Sequence, residues 1–197
     1  MRVVVDNGPG KGRRAAAGKR LQPARPATSL RAATAADAPA LHALIAAHLE
    51  EGRLLPRTLD ELAVHASRFV VAIQNARVVG CAELAPLSKS VAEVRSLVVS
   101  QEARQSGLGH LMVDELGRTA RRDGFARLCA FAHDPRFFVR LGFSIVPHTW
   151  VPEKIGHDCH SCPLFRNCGQ YAIVLDLARE QALSGAGMGA AAGIRRG

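Results

Sequence analysis

The chain has 197 residues, 48% of them apolar, which is enough to bury one sizeable core and short for two ordinary domains. No apolar run reaches the roughly 18 residues that span a bilayer, and the start lacks a secretory apolar stretch, so a soluble, cytoplasmic protein with no membrane partner is expected. The formal charge of +9 is unevenly spread: residues 1–31 hold eight Lys or Arg against Asp6 alone, whereas residues 32–194 carry sixteen basic and sixteen acidic side chains. A folded surface dedicated to nucleic acid needs clustered positive charge, so this balanced body excludes a specific nucleic-acid partner. The Gly-, Pro-, Ala- and Arg-rich residues 1–28 read as a disordered leader, 29–178 as one domain, and the Gly/Ala-rich 179–197 as a flexible tail.

In chain order, SLRAAT from Ser29 predicts a short strand, with Thr34 capping a helix over 35–50 whose apolar residues Leu41, Leu44, Ile45, His48 and Leu49 recur at three and four and which Gly52 ends. Thr58, followed three residues later by Glu61, opens a second helix through a capping box. From Arg68 the period becomes that of strands: RFVVAI, a QNAR turn, RVVGCAELA and VAEVRSLVV predict three successive antiparallel strands. A helix follows from Leu108 to Arg122, stopped at Gly124, then a buried strand ARLCAFA, a short helix over 135–141, and the strands GFSIV and QYAIVLDL. This order predicts an α/β (α+β) domain, a mixed and mostly antiparallel sheet flanked by helices.

The chemistry concentrates where VRSLVV feeds its helix. The segment Arg104, Gln105, Ser106, Gly107, Leu108, Gly109, His110 sets two glycines at a strand-to-helix corner. Glycines there let N–H groups point inward, and the first helical turn adds unpaired donors and a positive dipole end, so the corner can cradle a phosphate, with Arg104 as a charged donor. Taken alone, such a glycine pair is more often only a tight turn; it lacks the dinucleotide fingerprint and the P-loop lysine.

The succession strand, Arg-x-x-Gly-x-Gly, helix, strand and FFVRLGF (Phe137 to Phe143) resembles the GNAT superfamily of acetyltransferases over roughly 29–178. That resemblance implies acetyl-CoA as co-substrate, with Arg104 to His110 on its pyrophosphate and the main chain of Leu97, Val98 and Val99 beside its pantetheine arm. LLPRTLDEL, EVRSLVV and PEKIGHDCHSCPLFRNC together resemble short-form N-acetylglutamate synthases, which implies L-glutamate as acceptor and a place in arginine synthesis. Another amino acid, an amine or a protein as acceptor, or a non-catalytic CoA-binding module, are the competing readings, and a homodimer stays open.

Transfer to an amine requires a group that takes its proton. Glu93 is the candidate base, on the face that strand alternation gives also to Arg95 and Leu97; Glu83 on the neighbouring strand is the other. Phe137 and Phe138 stand where many relatives carry a tyrosine, so proton return to the thiolate is assigned to water. Arg57, Arg95 and Lys154 are the candidate partners of a dicarboxylate acceptor, although Arg95 pairing Glu93, a decorative Arg57 and an exposed Lys154 are the bland alternatives. Within the Cys-rich insertion 152–169, Cys159, Cys162 and Cys168 form C-x2-C-x5-C: a zinc site, a reversible redox pair and plain loop thiols all fit this spacing.

Overall fold

The computed structural model describes residues 27–49, 54–162 and 164–178. Residues 1–26 of the expected leader, the C-terminal tail and the helix stop at Gly52 lie outside the described residues, whereas Thr28, expected as the last residue of the leader, already belongs to the first strand.

Seven strands form one sheet in the order β1-β2-β3-β4-β5-β7-β6, with β1 Thr28–Ala32, β2 Phe69–Gln74, β3 Arg77–Pro86, β4 Val91–Val99, β5 Arg127–Ala132, β6 Ser144–Val146 and β7 Tyr171–Asp176. All neighbours are antiparallel except β4 and β5. The mixed, mostly antiparallel sheet expected from the element order is therefore the fold. Helices α1 (Ala38–Ala46), α2 (Leu59–Val64), α3 (Leu108–Arg122), α4 (Arg136–Val139) and α5 (Pro152–His157) surround it.

The helix expected over 35–50 is split: a 3₁₀ turn at Ala35–Asp37 precedes α1, and Pro39 at the start of α1 has no N–H to give to a longer helix. Asp37 accepts from the Thr34 N–H at 2.8 Å and holds Arg31 in a paired contact at 2.8 Å, tying β1 to this turn. The Thr58 cap of α2 is present, its hydroxyl accepting from the Glu61 N–H at 3.2 Å. Helix α5 was not expected; its sequence, PEKIGH, is too short for an apolar period to register.

Two clusters sandwich the sheet. On one face α3 buries Leu108, Met112, Leu116 and Ala120 at intervals of four against Val70, Ala82, Val94 and Leu128. Each fully buried side chain of Met112 or Leu128 size contributes about 1.5–3 kcal/mol. On the other face α1 and α2 bury Leu41, Ile45 and Leu62 against Phe69, Val71, Cys81 and Val98. A third, smaller cluster joins Val91, Cys129 and Val151 beneath α5.

Two features of β4 position the site. Its parallel pairing with β5 covers only Val91 to Glu93, after which β4 runs on to Val99 while β5 follows β7, so the two strands part and no strand of the described chain pairs that edge of β4. Two residues later the register slips: Glu83 faces Arg95 but Cys81 faces Val98, so Ala82 lies opposite both Ser96 and Leu97. Ser96 takes up the extra residue with φ of 47°. This bulge overturns the expectation that Leu97 shares a face with Glu93 and Arg95. Leu97 packs with Val94 and Val99 toward α3, while Val98 packs toward α1.

Candidate active site

The strand-to-helix corner forms as expected. Ser100 ends β4, a 3₁₀ turn follows at Gln101–Ala103, and Gly107 caps α3 with φ of 87°, a left-handed conformation that disfavours a side chain. Gln105 also has a positive φ, 61°. The Ser106 hydroxyl donates to the Ala103 carbonyl at 2.5 Å and closes the loop on itself. Arg104 Nε donates to the Val99 carbonyl at 3.2 Å, which ties the side chain to the strand end.

These residues wall a cleft of about 420 Å³, bounded by Val99, Arg104, Gln105, Gly107, Gly109 and His110, and across from them by Phe137 and Arg140. Leu108 contributes to the wall but is otherwise core, at 3% exposure. Of the positions expected here, Leu97, Val98 and Ser106 do not line the cleft. Gly109 lets the wall close: a Cβ there would stand 3.3 Å from the Phe137 ring. The first-turn N–H groups of α3 have no acceptor inside the helix and sit at its positive end, beside the cleft. Arg140, which sequence reasoning did not single out, lies in FFVRLGF, one turn beyond Phe137, so helical spacing was the available signal.

Beyond the parting of β4 and β5, on the sheet face opposite α3, lies a row of alternating charges. Arg57, just before α2, donates from Nε to Glu61 at 2.8 Å and from one terminal nitrogen to Glu83 at 2.8 Å and to Ser96 Oγ at 3.1 Å. Arg95 donates from Nε to Glu93 at 2.5 Å and from a terminal nitrogen to Asp158. Lys154 reaches both oxygens of Glu93, at 2.8 and 2.9 Å, and Asp158 at 2.7 Å. Its ammonium also lies 5.1 Å from the centre of the Phe131 ring, as the Arg57 guanidinium lies 5.9 Å from Phe69. His157 Nδ1 is 2.7 Å from the other Asp158 oxygen.

Arg57, Arg95 and Lys154 are thus brought together, and the bland readings of Arg57 as decorative and Lys154 as exposed are both corrected: their side chains are 10% and 15% exposed. Arg95 does pair Glu93, as one alternative held. Both candidate bases are buried and salt-bridged, Glu83 at 1% and Glu93 at 3% exposure. Asp158, absent from the expected site, is the carboxylate that clasps α5 to β4. Burial opposes its charge, but hydrogen bonds from Lys154 and His157 and the charges of Lys154 and Arg95 hold its carboxyl below the ordinary carboxylate range. A depressed native pKa is a stabilisation complete above the unfolded value near 3.9 and lost as pH falls through the native one. Acidification below about pH 4 should therefore loosen α5 before the sheet melts. Emission from Trp150, the only tryptophan of the sequence, titrated in wild type and in Asp158→Asn, measures this; the variant should show no such acid step.

The cysteines divide as expected into core and loop. Cys81 and Cys129 are buried, burial pushing the Cys81 thiol up to about 12 and the Cys129 thiol up as well. Cys159, Cys162 and Cys168 are partly exposed and free. Among the described residues no group of three or more His, Cys, Asp or Glu side chains is placed to hold a metal, so the zinc reading of these three cysteines gains no support from their geometry. Tyr171 stands on β7 opposite Ala132 and is 47% exposed. No described helix is long and apolar enough to cross a membrane.

The acetyltransferase (GNAT) domain family matches residues 65–145. An uncharacterized N-acetyltransferase of Chlorobaculum tepidum is 31% identical over 150 residues, 76% of this chain and 97% of that one. The chain belongs to the GNAT acetyltransferases. It is an acetyl-CoA-dependent N-acetyltransferase. An amino-acid acetyltransferase of Mycobacterium tuberculosis is 30% identical over 64% of this chain and 74% of that protein, whereas the chain spans only 31% of the Neisseria meningitidis amino-acid acetyltransferase it matches at 30% identity. Among solved structures, N-acetylglutamate synthase from Neisseria gonorrhoeae, complexed with coenzyme A and N-acetyl-glutamate, superposes with a TM-score of 0.69 at 28% identity, covering 78% of this chain and 36% of that one. For this GNAT chain the family match ends at Val146's neighbour Ile145, so α5 and the cysteines lie beyond it.

Proposed function

We propose that this enzyme acetylates the α-amino group of L-glutamate, as a step of arginine synthesis, with acetyl-CoA in the glycine-cornered cleft and the acceptor over Glu93. The observation that carries the reading is the placement of a buried carboxylate between two cations where β4 leaves β5, one strand length from the cleft. The Neisseria gonorrhoeae synthase, with N-acetyl-glutamate bound, is the supporting relative.

Stoichiometry sets the task. An ammonium and a thioester give an amide, a thiol and one proton, so a base must take the first proton from nitrogen before attack. Acetyl-CoA supplies the activated acetyl group. Glu93 takes the amine proton; Arg95 and Lys154, both bonded to it, orient its carboxylate. The open edge of β4 offers main-chain N–H groups to the thioester oxygen, and Arg104 and the first turn of α3 hold the phosphates. Phe137 and Phe138 carry no exchangeable proton, so the thiolate is protonated from water.

The three cations face four carboxylates: Glu61, Glu83, Glu93 and Asp158. Glu83 and Glu93 are buried, but the side chains of Glu61 and Asp158 are 41% and 29% exposed. A dicarboxylate acceptor therefore binds by replacing these two outer partners, its carboxylates taking over their places on Arg57 and on Arg95 with Lys154. The same charge balance favours a second reading, an acceptor carrying a cation of its own, which would leave the row intact. Acetyl-CoA consumption with a panel of glutamate, aspartate, glutamine, lysine and a polyamine separates them: stimulation by glutamate first is expected, and a polyamine or lysine ahead of it overturns the assignment.

The two halves of the site should separate kinetically. Arg95→Ala should raise the acceptor KM about tenfold or more with little change for acetyl-CoA, since a charge-assisted contact is worth about 1.5–3 kcal/mol. Gly107→Val should do the reverse, because its left-handed φ costs a β-branched residue about 1–2 kcal/mol and moves the corner. Equal effects of each substitution on both KM values would undo this division.

A further inference from the structure

We infer that Arg57 and Cys81 are positioning residues for acetyl transfer: they grip Ser96 from two sides and hold the peptide between Ser96 and Leu97 turned over, so that its N–H faces the open edge of β4. The inference deepens the reading above that this edge meets the thioester, and it does not depend on which acceptor is used.

The turned peptide follows from the hydrogen-bond ladder. In an extended strand the N–H and C=O of one residue point the same way, and successive residues point to opposite neighbours. Below the bulge the Val91 carbonyl accepts from Leu87 at the end of β3, and the Ser90 carbonyl accepts from Ala126 and Arg127 at the start of β5. Odd-numbered residues there face β3, and even-numbered ones face the side on which β5 parts. Above the bulge the phase is the reverse, since the Ser100 N–H donates to the Val79 carbonyl of β3 at 2.8 Å. The change falls between Ser96 and Leu97, so the N–H groups of both point to the open edge, side by side. The Ser96 carbonyl, which would otherwise share that edge, is turned back toward β3, where the Cys81 thiol meets it at 3.5 Å. Successive N–H groups across a left-handed residue make a concave donor pair suited to a developing oxyanion.

A serine does not take φ of 47° unaided, so its surroundings must hold it. The ladder on either side fixes where β4 runs, and two contacts fix how the peptide between is turned. A terminal nitrogen of Arg57 donates to Ser96 Oγ at 3.1 Å, and the same nitrogen is anchored on Glu83 at 2.8 Å. Glu83 is 1% exposed and lies on β3 beside the bulge, which gives a task to a buried carboxylate that proton transfer leaves unused. The Cys81 thiol, which burial keeps protonated, donates to the Ser96 carbonyl and opposes its swinging back to the open edge. Side chain and carbonyl of one residue are thus tied to different elements, the segment before α2 and strand β3.

The test is the infrared carbonyl stretch of acetyl-CoA, isotopically labelled at its carbonyl carbon and bound to the full chain without acceptor. Aimed donors weaken a C=O bond, so the wild-type band should lie below its frequency in solution. Ser96→Ala loses the hydroxyl and keeps the strain, and Cys81→Ala loses the thiol; in both the band should move back toward the solution frequency. Ser96→Gly takes the turned conformation without cost and Cys81→Ser restores a donor, so each should regain part of the shift. Ser96 is half-buried, so Ser96→Ala carries the test should Cys81→Ala, altered in the core, fail to fold. With glutamate, kcat should fall about tenfold in Ser96→Ala and less in Ser96→Gly, while the KM for acetyl-CoA, set at the glycine corner, is unchanged. A hydroxyl needed only for packing gives the opposite order, glycine below alanine, and overturns the inference, as does a wild-type band position in Ser96→Ala. A wild-type band at the solution frequency means that β4 does not meet the thioester, and the inference falls with that contact. A shifted wild-type band without turnover of glutamate removes only the acceptor assignment, and the variants' bands still decide the role of Arg57 and Cys81.

Discussion

Glu93→Gln is expected to lower kcat about 10²–10⁴-fold, the range a positioned general base supplies, while the KM for acetyl-CoA stays where it was. Glutamine keeps the shape of the side chain and its oxygen still meets Lys154, but it can no longer accept the amine proton. The substitution also leaves Arg95 and Lys154, whose side chains are 23% and 15% exposed, sharing Asp158 alone, so a lower Tm accompanies the loss of rate. Turnover must therefore be compared at temperatures where circular dichroism shows both proteins folded. Glu83→Gln is the companion measurement. Glu83 is the other buried carboxylate of the row, but Arg57 is its partner and Ala85, not Glu83, lies across from Glu93 in the β3/β4 register. If Glu83→Gln abolishes the rate and Glu93→Gln costs less than about tenfold, the base has been assigned to the wrong strand.

The largest effect on stability should come from Arg57→Ala. Arg57 bonds Glu61, Glu83 and Ser96 at once, and Glu83 is 1% exposed, so removing the guanidinium strands a buried carboxylate. Breaking a buried pair from one side costs about 3–5 kcal/mol, which for a domain of this size is a Tm fall of about 10 °C. Arg57→Lys retains a charge but cannot reach three acceptors from one planar fork, so an intermediate fall is expected. The double variant Arg57→Ala with Glu83→Gln removes the stranded charge and should recover part of the loss. Thermal melts of wild type, Arg57→Ala, Glu83→Gln and the double variant form a cycle, and additive losses would show that the pair does not couple.

Much of the frame follows from local pattern. Period two in RFVVAI, RVVGCAELA and VAEVRSLVV sets β2, β3 and β4, because alternate side chains must face one core. Period 3.6 from Leu108 onward sets α3 to the residue, since its apolar stripe has one sheet face to cover. Gly107 marked the corner because only a residue free of a Cβ takes φ of 87° without cost, and the order of these parts carried the family resemblance.

What resisted local reading was everything that depends on a distant neighbour. Alternation along β4 predicts one face for Glu93, Arg95 and Leu97, and the bulge at Ser96 reverses it; the register against β3, rather than anything in VRSLVV, reveals the extra residue. Helix α5 is six residues long and is fastened by Lys154 and Asp158 to a strand some sixty positions earlier, Lys154 to Glu93 across 61 residues and Arg95 to Asp158 across 63. Arg57 and Glu83 are 26 apart. The dicarboxylate acceptor that the resemblance implies nominated Arg57, Arg95 and Lys154 by residue type, and its place on the central strand nominated Glu93. Which carboxylate each cation would meet was open, and Asp158 had no local signal at all.

The sequence by itself therefore determined the strands, α3, the glycine corner and the acetyltransferase family, all of which rest on short-range sterics and on the side-chain period. Only the tertiary structure decided the face Leu97 presents, the parting of β4 from β5, the cation–carboxylate row and the absence of a metal-holding cluster among the described cysteines and their neighbours. Pairing energies depend on which charges come within a few ångströms, and that is a property of how β3, β4 and α5 pack rather than of any segment read along the chain.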